Sequence, residues 1–260
     1  MSGVKVTILG SGTCVPSLTR SACAILIETE HAKILFDLGA GTMRKLLEAG
    51  IRITEISHLV FSHFHPDHTG EFVSFLFALK YAGLPKRKQS LIIAGSQGLC
   101  EFYSKLHSAY GRWIEPDPSA IEFVEMSNCN CEYISFGQFD IESCPVNHIE
   151  SSLGYRLTTA EGISVVYSGD TDYCDSLVRL AHGADLFVCE SAFPDHLKVK
   201  GHLTPSLAGR VAADAGVSHL ILTHFYPECE SVDLEGQCRR TYSGTLTLAY
   251  DLLSVELPIR

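Results

Sequence analysis

Apolar positions recur along this chain with two different periods, and the changes between them mark out its elements. Short apolar runs at residues 4–9, 23–28, 33–37 and 58–61 predict buried strands, the second and third joined by a turn near Glu30-His31. Gly10-Ser11-Gly12 closes the first strand and Gly39-Ala40-Gly41 the third, with a short helix predicted over 42–49. Residues 70–82 are strongly apolar at helical spacing and stop at Gly83-Leu84-Pro85. A strand at 91–94 and a helix at 99–107 follow, and the alternation from 121 to 144 reads as strand. Residues 153–158 and 163–167 predict a hairpin around Glu161-Gly162. Helix signals at 173–181 and 205–215 alternate with strands at 186–189 and 218–223, and Val255-Glu256-Leu257 predicts a final strand.

Sheets in both halves with helices spread between them predict an α/β protein of four layers, two packed sheets with helices outside, forming one domain over residues 1–260. Strand, polar loop and helix recur in each half. That hints at an internal duplication, although no fixed sequence period accompanies it.

Composition narrows the class. With 46% hydrophobic and 19% charged residues, the 260-residue chain is globular. Thirty acidic against twenty basic residues give a formal net charge of -10, which repels nucleic acid and anionic membranes unless a local basic patch intervenes. The dense basic cluster Lys86-Arg87-Lys88 reads as a solvated turn. No apolar run is long enough to span a membrane, and the start, Met1-Ser2-Gly3 followed directly by a strand, lacks the pattern of a signal peptide. A cytoplasmic protein is expected, its ten scattered cysteines held as free thiols in a reducing compartment. Cys129-Asn130-Cys131 is too isolated for a zinc site and reads as structural or incidental.

The chemistry concentrates in Ser62-His63-Phe64-His65-Pro66-Asp67-His68, directly after an apolar strand. Imidazole and carboxylate suit borderline divalent metals. His63 and His65, two apart on an extended loop, can aim at one point, while Asp67 and His68 open the next helix and can hold a second ion. His148, Asp170 and His224 each follow a predicted strand, where ligands in layered α/β proteins gather. Singly each reads as a loop residue; together with the first cluster they complete two metal shells. Ser11 and Thr13 read as turn residues, His196 as a surface histidine, and Tyr226 stands close enough behind His224 to reach a substrate. The pair Gly10-x-Gly12 lacks the spacing of a dinucleotide loop.

The motif His63-x-His65-x-Asp67-His68, followed in order by His148, Asp170 and His224, resembles the metallo-β-lactamase superfamily over essentially the whole chain. The resemblance implies the αββα sandwich. It implies one metal on His63, His65 and His148, a second on Asp67, His68 and His224, and Asp170 bridging both. Zinc is the first expectation; the ligands also accept manganese, iron or cobalt.

Within the superfamily, Ile8-Leu9-Gly10-Ser11-Gly12-Thr13, Phe36-Asp37-Leu38-Gly39, Tyr167-Ser168-Gly169-Asp170-Thr171, Cys189-Glu190-Ser191-Ala192-Phe193 and Gly201-His202-Leu203-Thr204 resemble the ribonuclease Z branch and its short phosphodiesterase relatives. That likeness implies that His202 acts at the leaving group, supported by Glu190; Asp67, itself a ligand, is expected to orient the attacking water. Relatives are often dimers, and residues 72–81 offer an apolar face for one, though a core helix is the plainer use.

Ribonuclease Z usually carries a long basic arm after its third metal histidine. Here residues 149–166 hold a short hairpin instead. The missing arm and the acidic charge favour a phosphodiesterase acting on a small or medium phosphodiester over a tRNA 3′-end endonuclease. Sulfate-ester, thioester or lactam hydrolysis uses the same metals. Asp170 stands where antibiotic lactamases typically carry cysteine, and His65 where electron-transfer di-iron members carry glutamate. A non-catalytic binding module would have lost ligands that this chain keeps.

Overall fold

A computed structural model describes residues 3–81, 90–115, 117 and 120–259. The basic cluster at 86–88 and the helix stop at 83–85 lie outside the described residues. The first half runs β1 (Gly3–Gly10), β2 (Ala24–Glu28), β3 (Lys33–Phe36), α1 (Thr42–Glu48), β4 (His58–Val60), α2 (Pro66–Thr69), α3 (Phe72–Tyr81), β5 (Leu91–Ser96), α4 (Leu99–Tyr110) and β6 (Ile121–Met126). The second runs β7 (Glu132–Ser135), β8 (Phe139–Pro145), β9 (Leu153–Thr159), β10 (Ser164–Tyr167), α5 (Asp175–Leu180), β11 (Leu186–Glu190), α6 (Pro205–Ala215), β12 (His219–Thr223), α7 (Leu234–Cys238), β13 (Thr245–Leu248) and β14 (Leu253–Pro258).

Among the described residues the strands form two seven-stranded sheets, ordered β14-β1-β2-β3-β4-β5-β6 and β13-β12-β11-β10-β9-β8-β7. Strands β1 to β3 pair antiparallel and β3 to β6 parallel. Strands β8 to β10 and β10 to β13 repeat that pattern in the same order. The duplication hinted at by the sequence is therefore visible as topology, with β14 and β7 each added antiparallel at one side.

The period-2 pattern explains the layering. Ile25 and Ile27 of β2, Ile34 and Phe36 of β3, and Val60 of β4 face the core shared with the second sheet. Their alternates Ala24, Leu26, Leu35, Leu59 and Phe61 join Phe72, Phe75 and Leu99 in a second core under the outer helices. The central strands β2, β3 and β4 are buried on both faces, so they read as continuous apolar runs. Tyr155 ties the sheets together: its ring lies 5.6 Å from that of Phe36, and its hydroxyl donates to the Phe61 carbonyl at 2.8 Å. Helix α3 buries Phe72, Phe75 and Leu76, while Phe77 and Tyr81 point outward.

The strand reading at 121–144 is refined, and one expectation is corrected. The alternating stretch at 121–144 is three strands, and β13 and α7 carry no clear signal of their own. The cysteines are not all free: Cys131 is bonded to Cys144. The physical reason is register. Antiparallel pairing of β7 with β8 sets Glu132 against Ser143, which places Cys131 opposite Cys144 with Cα atoms 4.1 Å apart.

Candidate metal centre and active site

Strands β3, β4, β10, β11 and β12 all end at one edge of the sandwich, and the loops that leave them build the site. After β4 the chain stays extended through His65 (φ -64°, ψ 149°), then turns helical at Pro66, whose fixed φ suits a first helical residue. The extended segment sets the His63 and His65 rings 4.6 Å apart, and the first turn of α2 supplies Asp67 and His68. Asp170 comes from the loop after β10. His224 follows β12 and adopts φ 62°, a left-handed conformation that non-glycine residues hold only under structural constraint.

The seven predicted ligands converge. Asp170 lies 3.7 Å from His63, 3.3 Å from His68, 3.9 Å from His148 and 3.3 Å from His224. His65 Nδ1 stands 3.2 Å from His148 Nε2, and Asp67 lies 3.9 Å from His68 Nε2. Two groups result: His63, His65, His148 and Asp170, and Asp67, His68 and His224.

Divalent metals fit these residues on the chain's own chemistry. Nε2 of His63, His68 and His224 and Oδ1 of Asp170 are buried without a hydrogen-bond partner, yet they point into one space. Such a cluster of orphaned lone pairs is costly unless something cationic satisfies it. Burial holds the His63 imidazole well below its ordinary range and brings His224 down to about 4, so both rings favour the neutral, lone-pair form. His68 behaves oppositely. Burial resists its charge, but Asp170 and Asp37 outweigh burial and raise it well above the usual value. Burial likewise works against the Asp170 carboxylate, and the surrounding histidines, His224 first, hold it well below the ordinary range. The centre thus places buried anionic charge where a positive ion belongs.

A supporting layer fixes the ligands. Asp37, fully buried, accepts hydrogen bonds from the Ser62 amide at 2.7 Å, the Ser62 hydroxyl at 2.8 Å, the Tyr167 hydroxyl at 2.6 Å and His68 Nδ1 at 2.7 Å. That last contact leaves His68 Nε2 facing the centre. His148 Nδ1 is held at 2.9 Å by the Gly201 carbonyl, and Gly201, at φ 90°, has no room for a side chain: a Cβ would sit 3.0 Å from that ring nitrogen. Asp172 accepts from the Gly201 amide at 3.1 Å and from Lys198 Nζ at 2.7 Å, bracing the same loop.

His202 stands beside the centre, its ring 4.8 Å from that of His148, and it groups with Asp170 and His224. Its Nδ1 contacts Glu190 at 2.9 Å. Glu190 also accepts from the amides of Thr171 at 2.8 Å, Ala192 at 3.2 Å and Leu203 at 3.1 Å, so it ties the β10–α5 loop and both ends of the β11–α6 connection to one histidine. Burial pushes Glu190 up to about 7 against the pull of His202. Burial opposes the charged His202, and Glu190 more than compensates, raising it.

Sequence reasoning gave no role to Asp37, Ser62 or Gly201; Asp37 and Gly201 stood only inside motifs that carry the resemblance, and Ser62 only at the head of the histidine motif. Ser11 proves structural: its amide and hydroxyl contact Asp251 at 3.0 and 2.9 Å. His196 is exposed.

A model described as the beta-lactamase superfamily domain matches residues 32–225. The chain belongs to the beta-lactamase superfamily and is a hydrolase of the metallo-β-lactamase fold. Ribonuclease Z of Streptomyces avermitilis is 28% identical to it over 310 aligned positions that take in all of both chains. Those 310 positions against 260 residues leave at least 50 with no counterpart here. The metallo-β-lactamase fold protein YhfI of Bacillus subtilis superposes with a TM-score of 0.83 at 23% identity, covering 99% of this chain and 100% of that one. The short form of human tRNase Z gives 0.81 at 24% identity, covering 98% and 100%. No helix among the described residues is long and apolar enough to cross a membrane.

Proposed function

We propose that this hydrolase cleaves phosphodiesters, with His63, His65 and His148 holding one divalent metal, Asp67, His68 and His224 a second, and Asp170 shared between them. The observation that carries the reading is the convergence of orphaned, buried ligand atoms on Asp170 beside a histidine braced by a buried glutamate. Such metals, zinc first among them, supply an activated water at neutral pH and neutralise charge on phosphoryl oxygens.

The chain's residues do the rest. Asp67, about a tenth exposed, reaches the open side of the centre and accepts a hydrogen bond that orients the attacking water. His202, held at Nδ1 by Glu190, presents its other ring nitrogen and donates a proton to the departing oxygen. The three amides on Glu190 keep that carboxylate fixed, so the donor is aimed before substrate arrives.

A small or medium phosphodiester is favoured because strands β9 and β10 are joined by a tight turn at 160–163, where a long basic arm would be inserted. The named ribonuclease Z relative supports a second reading, end-processing of RNA. The test pairs metal content with hydrolysis of bis(p-nitrophenyl) phosphate, then of cyclic nucleotides and RNA ends. Near two metals per chain with turnover is the expected result. Bound metal without turnover on any phosphodiester would move the assignment to sulfate esters or thioesters, and a chain that takes up no metal would overturn it.

A further inference from the structure

Two aromatic side chains beside His202 are left unused by this mechanism. Parallel pairing of β11 with β12 continues past the strand ends, since the Ser191 amide donates to Thr223 at 2.9 Å and the Tyr226 amide to Ala192 at 3.1 Å. The chain therefore brings Phe193 and Tyr226 side by side, and their rings stack with centroids 4.3 Å apart and planes 19° from parallel. The His202 ring lies edge-on to both, at 6.2 and 6.4 Å, and the His224 ring is 6.1 Å from Tyr226.

Both aromatics are only partly buried, and the Tyr226 hydroxyl meets Cys14 Sγ at 3.4 Å in a segment, 14–19, that is exposed. The backbone beneath them is pinned. The Phe225 amide donates to Ser11 at 3.0 Å, and Arg20 covers the Phe225 ring at 4.9 Å while pairing with Glu230 at 2.6 Å.

We infer that the Phe193–Tyr226 stack is a platform for a nucleobase on the leaving-side sugar, which makes nucleoside phosphodiesters the substrate class of this site. The inference rests on the phosphodiesterase reading above. A partly exposed pair of flat rings on a pinned backbone next to the proton donor suits a flat leaving group, because stacking needs no base-specific hydrogen bonds and the rings are ordered beforehand. An acidic chain, with net charge -10, gives a nucleotide little help from its general surface, so affinity must come from the metal centre and from stacking. An aliphatic leaving group would gain only apolar contact with the rings, not stacking.

The test uses the metal-loaded protein and two dinucleotides that differ only in whether the leaving-side sugar carries a base. The wild type is expected to favour the base-bearing substrate by roughly 5- to 150-fold in kcat/KM, the span of one base–aromatic stack. Tyr226→Leu should bring that ratio towards one, Phe193→Leu should lower it, and Tyr226→Phe should restore it. Thermal unfolding confirms that each variant is folded, and the two leucine variants stand in for each other should one fail. A wild type that cleaves both substrates with equal kcat/KM overturns the platform and leaves the phosphodiesterase reading intact. A ratio that both leucine variants preserve also overturns the platform. Cleavage of neither substrate overturns the platform, and the reading beneath it falls as well when bis(p-nitrophenyl) phosphate is not hydrolysed either.

Discussion

Replacing Asp37 by asparagine removes a buried charge while leaving shape and backbone nearly unchanged. The residue sits at φ 60°, which asparagine tolerates and alanine does not, so Asp37→Asn isolates the electrostatics. Four donors converge on its two oxygens: the Ser62 amide on Oδ1, and the Ser62 hydroxyl, the Tyr167 hydroxyl and His68 Nδ1 on Oδ2. An amide offers one accepting oxygen. If that oxygen keeps the three donors, the NH2 confronts the Ser62 amide, and an unmatched buried donor costs about 1–3 kcal/mol. Loss of the carboxylate behind His68 should also weaken metal binding about 10- to 100-fold, equivalent to about 1.4–2.7 kcal/mol. Guanidinium unfolding of chelator-stripped protein measures the first effect alone, and competition against a fluorescent metal indicator measures the second. The reasoning fails if Asp37→Asn binds two metals with wild-type affinity, because His68 would then need no carboxylate to orient it.

His202→Ala should lower turnover of bis(p-nitrophenyl) phosphate about 10²- to 10⁴-fold with metal content unchanged; full activity would remove His202 from the mechanism. Asp170→Ala removes the carboxylate proposed to be shared, which faces His63 and His148 on one side and His68 and His224 on the other, and elemental analysis should find clearly fewer than two metals per chain, with turnover lost. Gly201→Ala forces a Cβ to 3.0 Å from His148 Nδ1 at a φ of 90°, so the indicator titration should show weakened metal binding together with slower turnover. Reducing the Cys131–Cys144 bond, whose partners are 13 residues apart, should cost about 3 kcal/mol, read as a lower urea midpoint that Cys131→Ser reproduces without reductant.

Strands β2 to β4 were legible because they are buried on both faces, and continuous runs such as Ile25 to Ile27 have few other readings. The candidate ligands stood out because four of them crowd into residues 63–68, and because His148, Asp170 and His224 each follow a strand. Asp37 escaped any role because its importance is relational. It lies 31 residues from His68 and 130 from Tyr167 in sequence, and only the pairing of β3 with β4 and the packing of the two sheets bring them together. The disulfide escaped for a similar reason, since Cys131 meets Cys144 only through the register of β7 on β8. Helix α7 is five residues long, too short to show a period, and β13 is a partly exposed strand with mixed residues.

The sharing of ligands between the two halves has a consequence for local opening. His63, His65, Asp67 and His68 come from one repeat, and His148, Asp170 and His224 from the other. Ions held by this proposed ligand set would act as a clasp across the seam between two sheets that each have their own hydrogen-bond ladder. Metal loading should slow amide exchange most at the strand ends flanking that seam, including β4, β10 and β12, and much less at the far ends of the same strands. Loss of the ions would let the two repeats part at this edge first, with the apolar centre between Phe36 and Tyr155 the last to open.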